Sequence, residues 1–225
     1  MLTECNSVEK NNQQSAQEEM KLDGEERVTL NEQFISSAEA GDTEQVLQLL
    51  QDGADINATD VQGRTAVLAA TYQNKVETVK ALIQEGANIN IQDNHFDNVI
   101  LNSGANGNLK IVRLAIKAGA DMTITNRFGG TALIPAADRG HVDVVKELLT
   151  TSDVDVNHIN RLHWTALLEA VILGDGGEKH QEIVQLLVDH GADLTIGDEN
   201  GITPLKHAEE RGFREIVDIL KSTEE

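Results

Sequence analysis

The sequence predicts an all-α solenoid of stacked helix–turn–helix units, and three observations carry that prediction. A five-residue signature recurs: "GADIN" at 53–57, "GANIN" at 86–90, "GADMT" at 119–123, "DVDVN" at 153–157 and "GADLT" at 191–195. Its acidic or amide position falls at Asp55, Asn88, Asp121, Asp155 and Asp193, in steps of 33, 33, 34 and 38 residues. A second mark opens each later unit: "GRTAVLAA" at 63–70, "GGTALIPAA" at 129–137, "HWTALLEA" at 163–170 and "GITPLKHA" at 201–208. Finally, with four Phe, one Tyr and one Trp, the core must be built of Leu, Ile, Val and Ala. That palette suits layered helices.

Taken from the N-terminus, residues 1–28 hold scattered apolar side chains among abundant Asn, Gln and Glu. Such a stretch buries too little surface to offset its ordering entropy, so it reads as a disordered acidic and polar tail or tether ending near residue 30. Each unit beyond reads as helix, turn, helix and extended loop. In one unit Thr131 precedes an apolar run and is placed to cap a first helix ending at about Asp138. Pro135 falls in its opening turn, where a missing N–H costs least. Gly140 breaks the run, and a second helix follows from about Val142 to Leu149 with a broad apolar face. Gly86, Gly119 and Gly191 stand where second helices end in the left-handed conformation; Asp153 takes that place once, predicting a looser cap. One pair of eight-residue helices cannot stand alone, so stability is expected in the interfaces between units.

On these residues the chain resembles the ankyrin-repeat family, whose units run about 33 residues, over roughly 31–225. The resemblance implies a leading cap (31–60), full units at 61–93, 94–126, 127–160 and 161–198, and a closing cap (199–225), joined by β-hairpin loops. The chain departs from the family pattern in places. Only Pro204 fills the family's proline position, with Ala66, Val99, Ala132 and Ala166 elsewhere, and the histidine of the opening is missing throughout. The unit at 94–126 diverges most, with Phe96 where glycine is usual and Asn98 at the capping position. Its hairpin is expected to be distorted or mobile. Unit 161–198 carries a polar insert, Asp175–Lys179, and "LGDGG" at 173–177 resembles a variant recurring among bacterial members of the family.

Charge narrows the function. A formal charge of −20 opposes binding to nucleic acid, whose phosphates need Lys and Arg to displace counterions, and opposes adhesion to anionic membranes. It favours solubility and a basic partner surface. One cysteine excludes an internal disulfide and a multi-thiolate zinc site, and no apolar run reaches the length of a transmembrane helix. "MLTECNS" resembles the end of a bacterial lipoprotein signal, with Leu2 and Thr3 before Cys5, although Glu4 is a mismatch. Two locations follow: cytoplasmic by default, or membrane-anchored through a lipidated Cys5 if a signal precedes it.

No catalytic constellation emerges, and no cofactor or metal is expected. His141 and His180 fall near the starts of second helices, where the family resemblance implies that they link neighbouring loops. His158 and His163 in "HINRLH" have an i,i+5 spacing that a metal could use, but no third ligand is evident. "GDGGEK" lacks the lysine–serine/threonine ending and preceding strand of a phosphate loop, and Asp175 and Glu178 would repel phosphate. Cys5 has no base near it in sequence.

The resemblance implies a curved stack whose hairpin tips and first helices line a concave partner-binding surface. On that basis Phe128, Leu162, Trp164, Ile172 and Leu173 are surface residues of two adjacent units, with Arg127, Arg139 and Arg161 among them. Trp, Phe and Arg are the residues that interface centres favour. Arg64, Tyr72 and His95 are expected as secondary contacts. The insert is expected to project beside this patch, either as a binding loop or as a lid that covers Ile172 and Leu173 beneath Trp164. The reading is a monomeric, non-catalytic module that binds a protein partner. One alternative is an inhibitor or immunity-type protein masking a basic partner, and the other is a metal-dependent enzyme using "HINRLH".

Overall fold

A short apolar run bounded by Thr or Asn on one side and Gly on the other can form two turns of helix, and the chain repeats this design throughout. The computed structural model of the chain describes residues 27–222. Its elements are α1 (27–40) and α2 (Thr43–Gln51), then α3 (Ala66–Tyr72) with α4 (Val76–Gln84) and α5 (Val99–Ala105) with α6 (Leu109–Lys117). After these come α7 (Leu133–Asp138) with α8 (Val142–Thr151), α9 (Ala166–Ile172) with α10 (Glu178–Asp189), and α11 (Pro204–Arg211) with α12 (Arg214–Lys221). Residues 27–30, read from the sequence as part of the tail, are already helical. The rest of that tail, including Cys5, lies outside the described residues.

The first helices start where the sequence places a capping side chain. Thr65, Asn98, Thr165 and Thr203 accept from the backbone N–H three residues on, at 3.4, 3.0, 3.2 and 3.4 Å. Thr131 departs from the expectation. Helix α7 begins only at Leu133 after an αR Ala132, and the buried Thr131 hydroxyl finds no partner among the described residues. Gly86, Gly119 and Gly191 take the left-handed conformation expected after second helices, with φ of 89°, 80° and 86°. Helix α8 ends instead on an extended Ser152, whose hydroxyl donates to the Leu148 carbonyl at 2.6 Å.

Packing runs along the stack. First helices pack on first helices (α3 on α5, α5 on α7, α7 on α9, α9 on α11), and second helices form a parallel outer layer from α2 to α12. The core is correspondingly asymmetric. Every residue from Ala66 to Thr71, Val99 to Gly104 and Ala166 to Val171 is buried, whereas α6, α8 and α10 bury single stripes such as Ile183, Val184 and Leu187. Small residues permit the close approach: a Cβ on Gly104 would stand 3.1 Å from Ala132 Cβ.

The "GADIN" signature acts as a staple between units. Asn31, Asn57, Asn90 and Asn157 each accept, through Oδ1, the backbone N–H of Asp55, Asn88, Asp121 and Asp193 at 2.8–3.0 Å. The amide thus satisfies a backbone donor of the following unit that no helix can serve.

A second periodic residue shapes each hairpin. Oδ1 of Asp60, Asp93, Asn126, Asn160 and Asp198 accepts the N–H groups two and four residues ahead, as in Phe128 N and Gly130 N on Asn126 at 2.9 and 3.1 Å. The hairpins make only one isolated bridge, Thr59–Thr65, and no strand forms among the described residues. The hairpin of Phe96, expected to be distorted, keeps the same bonds, Asp93 N to the Asp97 carbonyl and Phe96 N to the Asp93 carbonyl. Phe96 instead accepts the left-handed φ of 63° that Gly63, Gly129 and Gly201 supply elsewhere.

The insert follows Leu173 of the expected patch but lies at the other end of α9 from Trp164. Trp164 precedes α9 and Asp175–Lys179 follows it, so a helix of seven residues separates them. The insert packs toward the closing unit: a Cβ on Gly176 would meet the Phe213 ring at 2.4 Å, and Arg211 donates to the carbonyls of Ile172 and Gly174, the latter at 2.9 Å. His180 then secures it, with Nδ1 2.9 Å from Asp175 Oδ1 and Nε2 2.9 Å from the Asp138 carbonyl. His141 likewise reaches the Ala105 carbonyl of the preceding unit at 3.2 Å, the loop-linking role expected of both histidines.

Candidate functional site

On each first helix, the positions four, seven and eight residues past the cap share one face, because a helix turns once in 3.6 residues. Asn102, Pro135 and Glu169 take the first position, Tyr72, Ala105 and Asp138 the second, and Asn106, Arg139 and Leu173 the third. All of them line one groove of about 930 Å³, walled by hairpin residues His95, Asp97, Arg127, Phe128 and Leu162. Its rim is apolar: Phe128, Leu162 and Leu173 are 54 %, 52 % and 51 % exposed. Arg127 lies over the Phe128 ring, 4.8 Å from its centre.

The floor is acidic. At one end the Tyr72 hydroxyl donates to Asp93 Oδ2 at 2.7 Å, with Asp97 Oδ2 at 3.2 Å. Burial, then the bond to Asp93, raises the Tyr72 phenol; burial raises the Asp97 carboxyl against the Tyr72 bond. At the other end Glu169, only 8 % exposed, accepts from Asn160 Nδ2 at 2.7 Å. Burial, reinforced by the nearby Asp138, pushes its carboxyl up to about 7 against the Asn160 bond. Asn160 thus serves two ends: its Oδ1 shapes the hairpin and its amide holds Glu169.

The family model for ankyrin repeats (3 copies) matches residues 33–126 and 99–198, which together span most of the chain. The chain belongs to the ankyrin-repeat family. It is 44 % identical over 187 residues to the ankyrin repeat protein YahD of Escherichia coli (strain K12), covering 83 % of this chain and 93 % of that protein. Among solved structures, an ankyrin repeat domain from Acinetobacter baumannii AYE is 46 % identical with a TM-score of 0.82, over 84 % of this chain and 96 % of the other. The ankyrin repeat protein EF0377 is 39 % identical, also with a TM-score of 0.82, over 85 % and 97 % of the respective chains. Ankyrin repeats are in general protein–protein interaction modules, and the family is typically non-catalytic. Among the described residues no helix is long and apolar enough to cross a membrane.

Within this ankyrin stack, the groove brings together Arg127, Phe128, Arg139, Leu162 and Leu173 of the residues expected from the sequence, with Tyr72 and His95. The others lie outside its lining. Trp164 is half-buried, and its backbone N–H donates to Asn160 Oδ1 at 3.1 Å. Arg161 turns back along the hairpins and donates to the Arg127 carbonyl at 2.8 Å. Ile172 is half-buried, with Arg211 on its carbonyl, whereas Leu173 is exposed. Arg64 is consumed internally, 2.8 Å from Asp60 and 3.0 Å from Glu39. His158 spends Nε2 on the Gly129 carbonyl at 2.7 Å, which ties two hairpins together. Glu169, Asn160, Asn102 and Asp93 were not singled out by the sequence reading. The available signal was a charged residue inside the apolar run "ALLEAV".

Proposed function

We propose that the chain is a non-catalytic adaptor whose concave groove binds a segment of a partner protein. The observation that carries this reading is the trio Phe128, Leu162 and Leu173, each about half exposed on a single groove formed by adjacent units. Contiguous apolar surface of this kind costs solvation free energy when uncovered and marks interaction sites on soluble proteins. Arg127 stands on the same wall, and the −20 charge favours a partner with basic surface.

The test is capture of partners from a bacterial extract on the immobilised chain, comparing wild type with Leu162→Ser/Leu173→Ser and with Trp164→Ala. Both changes of the double variant are at exposed sites, so its thermal unfolding should match wild type while capture falls at least tenfold. Trp164→Ala should retain capture, since the indole lies outside the groove lining. Undiminished capture by the double variant would refute the groove as the binding surface.

A further inference from the structure

Glu169 and Asp138 are carboxylates on one wall of the groove, and neither is paired with a cation among the described residues. Glu169 is more than nine-tenths buried as a residue; its Oε1 receives the Asn160 amide, while Oε2, which takes no hydrogen bond among the described residues, keeps contact with the open groove. Three neighbouring basic side chains make their bonds to other groups. Arg139 donates to the Ala105 carbonyl, Arg211 to the carbonyls of Ile172 and Gly174, and His207 Nε2 sits 2.9 Å from Asp198 Oδ2. A largely buried carboxylate without a counter-charge is disfavoured as an ion, and a ligand cation that reaches its open oxygen relieves this. Above it the rim is apolar, formed by Phe128, Leu162 and Leu173.

We propose that Asp138 and Glu169 form a socket for one lysine or arginine side chain of an extended partner segment. The aliphatic stem of that side chain lies against Leu162 and Leu173, while its charged head takes Glu169 Oε2 and the Asp138 carboxylate. This inference rests on the groove being the binding surface and names what it selects. Long basic side chains suit it because they bury apolar stems while carrying a terminal charge. The groove runs across four first helices, from Tyr72 on α3 to Leu173 after α9. At interaxial spacings of about 8–10 Å this is roughly 25–30 Å, the reach of about eight extended residues. The chain's own charge of −20 favours such a ligand over an acidic one.

The socket is also proton-linked, because Glu169 must ionise to hold a cation and burial has pushed its carboxyl up to about 7. Affinity for the basic segment should therefore rise about tenfold from pH 6 to pH 8. Other ionisable groups on the elements around α9 are Asp138 on α7 with Arg139 just after it, Glu178, Lys179, His180, Glu182 and Asp189 on α10, Lys206, His207, Glu209, Glu210 and Arg211 on α11, and His163 on the hairpin. They remain in Glu169→Gln, so comparison with that variant isolates Glu169.

Panning a phage library of random nonapeptides against the full-length chain, then titrating the selected peptide, tests the socket. The selected peptides should share a lysine or arginine beside apolar residues. Replacing it by norleucine, uncharged and of similar length, should weaken binding to wild type at least tenfold at pH 8. The same replacement should cost less than twofold against Glu169→Gln or Asp138→Asn, whose folding is checked by thermal unfolding. Absence of a shared basic position, or an equal norleucine penalty in all three proteins, would overturn the socket. If peptides without a basic position bind but are lost on Leu162→Ser/Leu173→Ser, the socket fails and the binding groove stands. Peptides indifferent to every variant would overturn both.

Discussion

Glu169 concentrates the chemistry of the groove in one side chain. A carboxyl whose folded value lies above its ordinary one binds its proton more tightly in the folded state. Its favourable contribution is therefore complete below its ordinary 4.5 and is lost as pH rises through about 7. At pH 8 the native state holds the ionised carboxylate in a largely buried site that disfavours the charge. Glu169→Gln keeps an oxygen for the Asn160 amide and removes that charge, so it should stabilise the chain by about 2 kcal/mol at pH 8 and change little at pH 5. Urea unfolding at the two pH values measures this. Equal midpoints for wild type and variant at pH 8 would show that the carboxylate is not penalised.

At the scale of elements, the hairpins and the inter-helix turns are where the sequence was hardest to read. The Asx residue that shapes each hairpin recurs at positions 60, 93, 126, 160 and 198, as regularly as the "GADIN" signature itself. It was overlooked because a polar residue in a loop looks like ordinary solvation until its two backbone bonds are seen. The same bonds explain why Phe96 does not break its hairpin, since Asp93 satisfies His95 N and Asp97 N whatever occupies the left-handed position. The partners of the insert were missed for a different reason. Closeness along the chain put Trp164 beside Asp175, but α9 carries them apart, and the insert finds Phe213 and Arg211 across the unit boundary. Gly176 (φ 71°) and Gly201 (φ 74°) separate local strain from this contact, because a Cβ on Gly201 would meet nothing within 4 Å. Gly201→Ala should cost about 1 kcal/mol from backbone conformation alone, and Gly176→Ala roughly 2–3 kcal/mol as Phe213 is displaced. Equal unfolding midpoints for the two variants would mean that the insert does not pack on the closing unit.

Across the whole molecule, the repeat made the architecture legible. Apolar runs, capping Thr or Asn and terminating Gly recur in step, and each unit buries itself only against its neighbours. The site was half legible. Exposed positions at the hairpin tips and helix ends could be mapped, so Phe128, Leu162 and Leu173 were expected at the surface, where they line the candidate groove. The floor was not, because Asn102 and Glu169 lie in helices whose neighbouring positions are all core, and polarity there reads as an irregularity until the groove is seen to pass over it. Stacking thus has two products: a core no single unit could build, and a continuous trough no single unit could present.

Hydrogen exchange on the chain with its captured partner bound addresses the central claim directly. Slower exchange is expected in the hairpins at 126–130 and 160–164 and at the C-terminal end of α9, with the outer helices α4, α6 and α8 unchanged. Protection confined to those outer helices, with the groove hairpins exchanging as in the free protein, would contradict it.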